Sequence, residues 1–264
     1  MGLFRRKNAP PSAEASAKAK SEGMELAKTV VYALLIAAVF RSLFFEPFHI
    51  PSSSMKSGLL IGDYLFVSKY SYGYSRYSFP FAMFPFEGRI WKSEPARGDV
   101  IVFRKPSDTK IDYIKRLVGL PGDRIQVKDG ILYINGDAVP RKRVKDFEEI
   151  DSKGSLVRIP RFIETLPNGH EYYVLDQVSD GPADNTDVYT VPPGHYFMMG
   201  DNRDNSQDSR VMSVVGFVPE ENLVGRAEIV LFSVDPEVSL FDVSSWPSFF
   251  RFGRFFNKIS ALHE

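Results

Sequence analysis

"DYIKRLVGLPGD", residues 112–123, alternates as a β-strand does and then breaks at a Leu-Pro-Gly-Asp turn. Period two puts Tyr113, Lys115 and Leu117 on one face, and Ile114 and Arg116 on the other. Lys115 is therefore a cation set among apolar neighbours, a candidate for burial. Runs of the same kind lie on both sides: "GDYLFVSKY", "RGDVIVFRKP", "ILYINGDAV", "HYFMMGDN" and "GRAEIVLFSV". They are rich in Val, Ile, Tyr and Phe, and Asp129-Gly130 and Asn135-Gly136 are hairpin signals. The expected fold is mainly β, an antiparallel sheet or barrel-like core. Between residues 126 and 191 the apolar signal thins into charged, turn-rich text such as "RKRVKDFEEIDSKG" and "SDGPADNTD". This stretch reads as an inserted β-rich subdomain. It splits the core into residues 46–125 and 192–235.

Ahead of the β region, residues 29–40 carry no charge, and Lys28 and Arg41 flank them. Residues 24–45 reach about 30 Å as a helix at 1.5 Å per residue if the flanking cations snorkel, enough for one transmembrane pass. "FRSLFFEPF" has bulky aromatics where a cleaved leader needs small residues, so an uncleaved anchor is expected. Residues 1–23 show no apolar period and read as a mobile tail. Arg5, Arg6, Lys7, Lys18, Lys20 and Lys28 precede the anchor, and only Arg41 and Lys56 follow closely. The amino terminus is thus expected in the cytoplasm. In residues 236–264, Phe249, Phe252, Phe256 and Ile259 recur at helical spacing with Arg251, Arg254 and Lys258 between them. An amphipathic tail helix is expected there, docked on the domain or lying on lipid.

Lysine plus arginine equals aspartate plus glutamate at 33 each, so no whole-chain field recruits nucleic acid. The basic run at residues 141–145 lacks an aromatic stacking platform. There is no cysteine, which excludes disulfides, thiolate catalysis and cysteine-ligated metals. A covalent hydrolase would have to use Ser, Thr, Lys or a carboxylate. The histidines are His49, His170, His195 and His263, and His49 is near Ser54 in sequence. The alternative base is lysine, of which about one in a thousand is neutral near pH 7.4 unless burial lowers its pKa from ~10.4. "GDNRDNSQDSR", residues 200–210, has Asp and Asn at alternate positions but lacks the glycine and terminal glutamate of a calcium loop. No metal is expected. Its Arg203 and Arg210, among Asp201, Asp204 and Asp208, suggest an internally paired loop instead.

Taken in order, "IPSSSM", "GDYLFVSKYSYG", "RGDVIVFRKP", "DYIKRLVGLPGD", "GDNRDNSQDSR" and "GFVPEENLVGRA" resemble the bacterial type I signal peptidases, membrane-anchored serine proteases that remove signal peptides from exported proteins. The resemblance implies Ser54 as nucleophile and Lys115 as general base, with Ser52 and the Ser54 N–H as oxyanion hole. It implies that Ser206 bonds the lysine ammonium, that Asp208 and Arg210 support that loop, and that Phe103, Tyr113 and Met198 wall the lysine. Ile50, Pro51, Met55, Leu59 and Ile114 fall on positions lining shallow pockets for small side chains. Further implications are cleavage after small-x-small sequences, no cofactor and no metal, partners limited to signal peptides of exported preproteins and membrane lipid, and a catalytic domain outside the inner membrane. One segment departs from the family's Met-x-Pro-Thr-Leu: "MKSGL", where Ser57 and Gly58 replace Pro and Thr and add backbone freedom. That departure keeps open a Ser/Lys peptidase dedicated to one secretion or conjugation substrate; a non-catalytic periplasmic peptide-binding scaffold is a separate alternative, against which the intact Ser52, Ser54, Lys115 and Ser206 argue.

Overall fold

A computed structural model of the chain describes residues 13–79, 86–150, 154–238, 246–259 and 262. It divides into two units, Met1–Arg41 and Ser42–Glu264. The first is carried by helix α1 (Ala13–Leu43). Within Lys20–Leu43 an 18-residue window has a mean hydropathy of 1.7, and none of that window is buried inside the protein. A helix apolar on every side and long enough to cross a bilayer finds its solvent in lipid rather than in a core. The helix begins at Ala13, not after Gly23 as the sequence suggested. The Ala, Glu and Lys of this stretch are strong helix formers, and propagation from an existing helix avoids the cost of nucleation. Residues 1–12 of the expected tail lie outside the described residues.

The second unit is built from strands β1 (Phe45–His49), β2 (Asp63–Ser68), β3 (Val100–Lys105), β4 (Asp108–Gly119), β5 (Arg124–Lys128), β6 (Ile131–Ile134), β7 (Asp137–Ala138) and β8 (Arg141–Arg143). Then follow β9 (Phe147–Ile150), β10 (Leu156–Ile159), β11 (Arg161–Thr165), β12 (Glu171–Leu175), β13 (Tyr189–Thr190), β14 (His195–Met199), β15 (Val218–Pro219) and β16 (Leu223–Ser233). Seven of them form one antiparallel sheet in the order β1-β2-β16-β3-β4-β14-β15. The chain between β4 and β14 makes three smaller sheets, β13-β5-β6-β7, β12-β11-β8 and β10-β9. β5 lies wholly within this excursion, so the pairing sets the boundary ahead of residue 126. Its hairpin to β6 turns at Asp129-Gly130 and the next at Asn135-Gly136, all four at positive φ as type I′ turns require.

Alternation along β3 separates two cores. Val100 and Val102 pack with Ile50, Met55, Leu59 and Ile114, whereas Ile101 and Phe103 pack with Leu117 and Met198. In register, Lys115 faces Ile101 and Tyr113 faces Phe103. Lys115 is thereby delivered to an apolar face, as its period predicts.

The carboxyl-terminal segment is not the expected amphipathic helix. α2 covers only Trp246–Phe249, and the chain then runs irregularly against β16. Arg251 N donates to Ser233 O, Phe256 N to Val230 O and Ile259 N to Glu228 O, while Val230 N donates to Asn257 O. β3 covers β16 only from Leu223 to Arg226, which leaves backbone groups further along open. Satisfying that edge outweighs the helical spacing of the phenylalanines.

Candidate active site

After β1 the chain enters a tight turn. Ile50 N bonds Asp63 O, Lys56 N bonds Ser53 O and Leu59 N bonds Met55 O, each at 2.9 Å. With Ile50, Met55 and Leu59 sealed into the core, Ser54 is held at the rim, 7% exposed. The loop 200–210 grips it from the far side: Asn202 N donates to Ser54 O at 3.0 Å and its Nδ2 to Ser53 O at 3.1 Å. Asn205 Nδ2 donates to Ser53 Oγ at 2.6 Å. Neither asparagine stood out in the sequence, although both lie in the 200–210 segment singled out there.

Lys115 Nζ donates to Ser54 Oγ at 2.7 Å and to the Ile114 carbonyl at 2.8 Å. The lysine is 4% exposed, and its Nζ lies 5.2 Å from the Tyr113 ring centroid. Burial pushes its pKa down to about 8, against the opposing pull of Asp208 and Asp201. Phe103 and Met198 are wholly buried in the cluster that flanks it. Among the described residues, Lys115 is the base bonded to Ser54, whereas His49 packs tilted against Tyr64, ring centroids 4.9 Å apart.

Ser52 Oγ lies 3.4 Å from Ser54 Oγ, on the exposed side of the turn. Pro51 is exposed beside it, while Met55, Leu59 and Ile114 line the turn from beneath. The expected contact of Ser206 with the lysine ammonium is not made. Ser206 Oγ is buried on the side of the Asp208 carboxylate, which it helps to hold ionised, while Nζ is turned to Ser54 and Ile114. Its hydroxyl occupies the space over Gly200, where an added Cβ would come within 2.2 Å of it and 2.6 Å of Ser54 O. Only glycine fits there.

Behind this group stand three buried ion pairs. Arg210 grips Asp208 through Nε and Nη2, both at 2.9 Å, and Gly200 N donates to the same carboxylate at 2.9 Å. Burial alone would raise the Asp208 carboxyl, but Arg210 and the Gly200 N–H outweigh it and hold it below the usual range. Arg116 binds Asp201 bidentately at 2.8 and 2.7 Å, and Arg203 pairs with Glu164. These paired charges fix loop 200–210 to β4 and β11.

The departure at residues 55–59 is also held from outside. Lys56 pairs with Glu149 of β9, and Ser57, at φ 92°, donates from Oγ to the Tyr173 carbonyl of β12 at 3.3 Å. Arg254 of the tail donates to Gly58 O at 2.9 Å and to both oxygens of Asp63, at 3.0 and 2.6 Å. Contacts from the insert and the tail thus restrain a turn that has no proline of its own.

The family described as signal peptidase, peptidase S26, matches residues 23–232. Signal peptidase I of Rickettsia canadensis is 46% identical over 214 residues, 78% of this chain and 78% of its own. Signal peptidase I of Rickettsia typhi is 41% identical over 250 residues, 88% of this chain and 92% of its own. Among solved structures, a signal peptidase I of Enterococcus faecalis is 29% identical, covers 51% of this chain and 97% of its own, and has a TM-score of 0.30. Matches of this breadth define a peptidase, here carried behind an apolar helix that anchors it to a membrane. The chain belongs to the signal peptidase family, peptidase S26, and its function is signal-peptide processing.

Proposed function

We propose that Ser54 is the nucleophile and Lys115 the general base of an endopeptidase that cuts preproteins after small-x-small sequences. The observation that carries this reading is the 2.7 Å contact between Lys115 Nζ and Ser54 Oγ, made by an amine whose pKa burial lowers to about 8. A preprotein's cleavage region lies extended beside residues 50–53 and along β4, whose outer edge β14 covers only from Arg116 to Gly119. Neutral Lys115 takes the Ser54 proton as Oγ attacks the scissile carbonyl. The Ser52 hydroxyl and the Ser54 N–H receive the developing oxyanion, and the lysine ammonium then protonates the leaving amine. Water, deprotonated by the same amine, releases the acyl group.

Rotation of Nζ from the Ile114 carbonyl toward the Ser206 hydroxyl would stabilise the ammonium once formed. Asp208 and Arg210 keep that hydroxyl in place. Pro51, Ile50, Met55, Leu59 and Ile114 shape the wall against which small side chains rest. The cation bias ahead of α1 favours a cytoplasmic amino terminus and a catalytic unit on the outer face of the inner membrane.

The test is incubation of the detergent-solubilised full chain with a preprotein. Ser54→Ala and Lys115→Met should each lower cleavage by at least about 10⁴-fold. Full cleavage by either variant would remove that residue from the mechanism.

A further inference from the structure

We propose that Ile90 and Trp91 form a shelf that inserts into the bilayer interface beside the exit of the anchor. Trp91 is 81% exposed and Ile90 48%, a combination that water penalises unless another phase covers them. The shelf is built rather than loose. Tyr74 and Ile90 exchange backbone hydrogen bonds at 2.9 and 2.8 Å. Arg89 reaches inward to the carbonyls of Tyr72, Gly73, Glu220 and Leu223 at 2.7–2.9 Å. Gly73, at φ 76°, lets the two segments close: an added Cβ there would meet the Ile90 and Trp91 carbonyl oxygens at 2.4 Å.

The shelf's height relative to lipid follows from one bond. Tyr74, whose ring packs edge-on to Trp91 at 6.0 Å, donates from its hydroxyl to the Leu43 carbonyl at 2.5 Å. Leu43 is the last residue of α1, the point where the chain leaves the bilayer. Chain continuity therefore places Tyr74, and with it Ile90 and Trp91, at the membrane surface. Phe44, the residue after Leu43, is itself 46% exposed. Of the nearby charges, Lys92 pairs with Glu220 at 2.8 Å and Arg76 with Glu221 at 3.7 Å. An indole at the headgroup level is a favoured arrangement, with its apolar body in the acyl region and its N–H toward water.

The chain has two tryptophans, so Trp246→Phe leaves Trp91 as the sole indole. The full-length variant is reconstituted into phosphatidylcholine vesicles with and without acyl-chain bromination, and its emission is titrated with iodide. Bromolipid should quench most of the emission, and iodide should quench little. Emission untouched by bromine and fully open to iodide would overturn the proposal. Shielding from both quenchers would overturn it too, in favour of a protein partner or a second copy. If Trp246→Phe fails to fold, the difference in emission between wild type and Trp91→Phe gives the same readout. No cleavage is measured, so the outcome is independent of the Ser54 and Lys115 test.

Discussion

Lys115 joins a local property to a global consequence at the scale of one residue. With Lys115 as the proposed base, attack requires the neutral amine, so kcat/KM should rise about tenfold per pH unit below pH 8 and level off above it, following the pKa of about 8. A pH–rate profile on a peptide substrate measures this; a limb still rising at pH 10 would show that the amine is not desolvated. The same burial weakens the fold. Between pH 8 and ~10.4 the unfolded chain holds a proton that the folded lysine has released, so stability gains with pH across that window. Below pH 8 both states are protonated and the full cost, about 3 kcal/mol, applies. Lys115→Met should thus raise the melting midpoint at pH 7 while activity disappears, an exchange of stability for function. Calorimetry of the two proteins in one detergent checks it.

Elements far apart in sequence meet at the turn that carries Ser54. Asp63 is fully buried and accepts from Leu60 N, and its charge is balanced by Arg254 of the tail. Arg254→Met should cost about 3–5 kcal/mol, because it leaves that carboxylate buried without a counter-ion. Arg254→Lys keeps the charge but loses the fork, and should cost less. Urea midpoints of the two variants, with kcat/KM at saturating stability, would separate the tail's structural effect from its hold on Gly58. Irregular backbone is the better use of this segment, since β16 offers it bonds that a free helix would forgo.

Across the whole molecule, the anchor and the catalytic unit have separate physical bases. α1 is solvated by lipid, whereas residues 42–264 contain the apolar clusters around Phe103, Ile114 and Val127. Removing residues 1–41 should therefore leave a folded unit with an unchanged melting midpoint in detergent and full cleavage of a short peptide. Circular dichroism melts and a fluorogenic peptide would show this. Loss of folding would mean that the helix supplies core contacts.

The sequence by itself determined what a few neighbouring residues can encode. It marked an anchor by its uncharged run, hairpins by Asp129-Gly130 and Asn135-Gly136, an insert by its change of composition, and the apolar face of Lys115 by period two. Ser54 was marked by family resemblance. Only the tertiary structure decided that the lysine and the serine, 61 positions apart, touch. It also decided that Asn202 and Asn205 hold the Ser54 turn, that Ser206 is turned from the lysine, and that the tail runs irregularly along β16. Periodicity and turn chemistry act over single turns and strands. Which sheet edge remains open, and which buried charge still needs a partner, is settled only when distant segments compete for the same place.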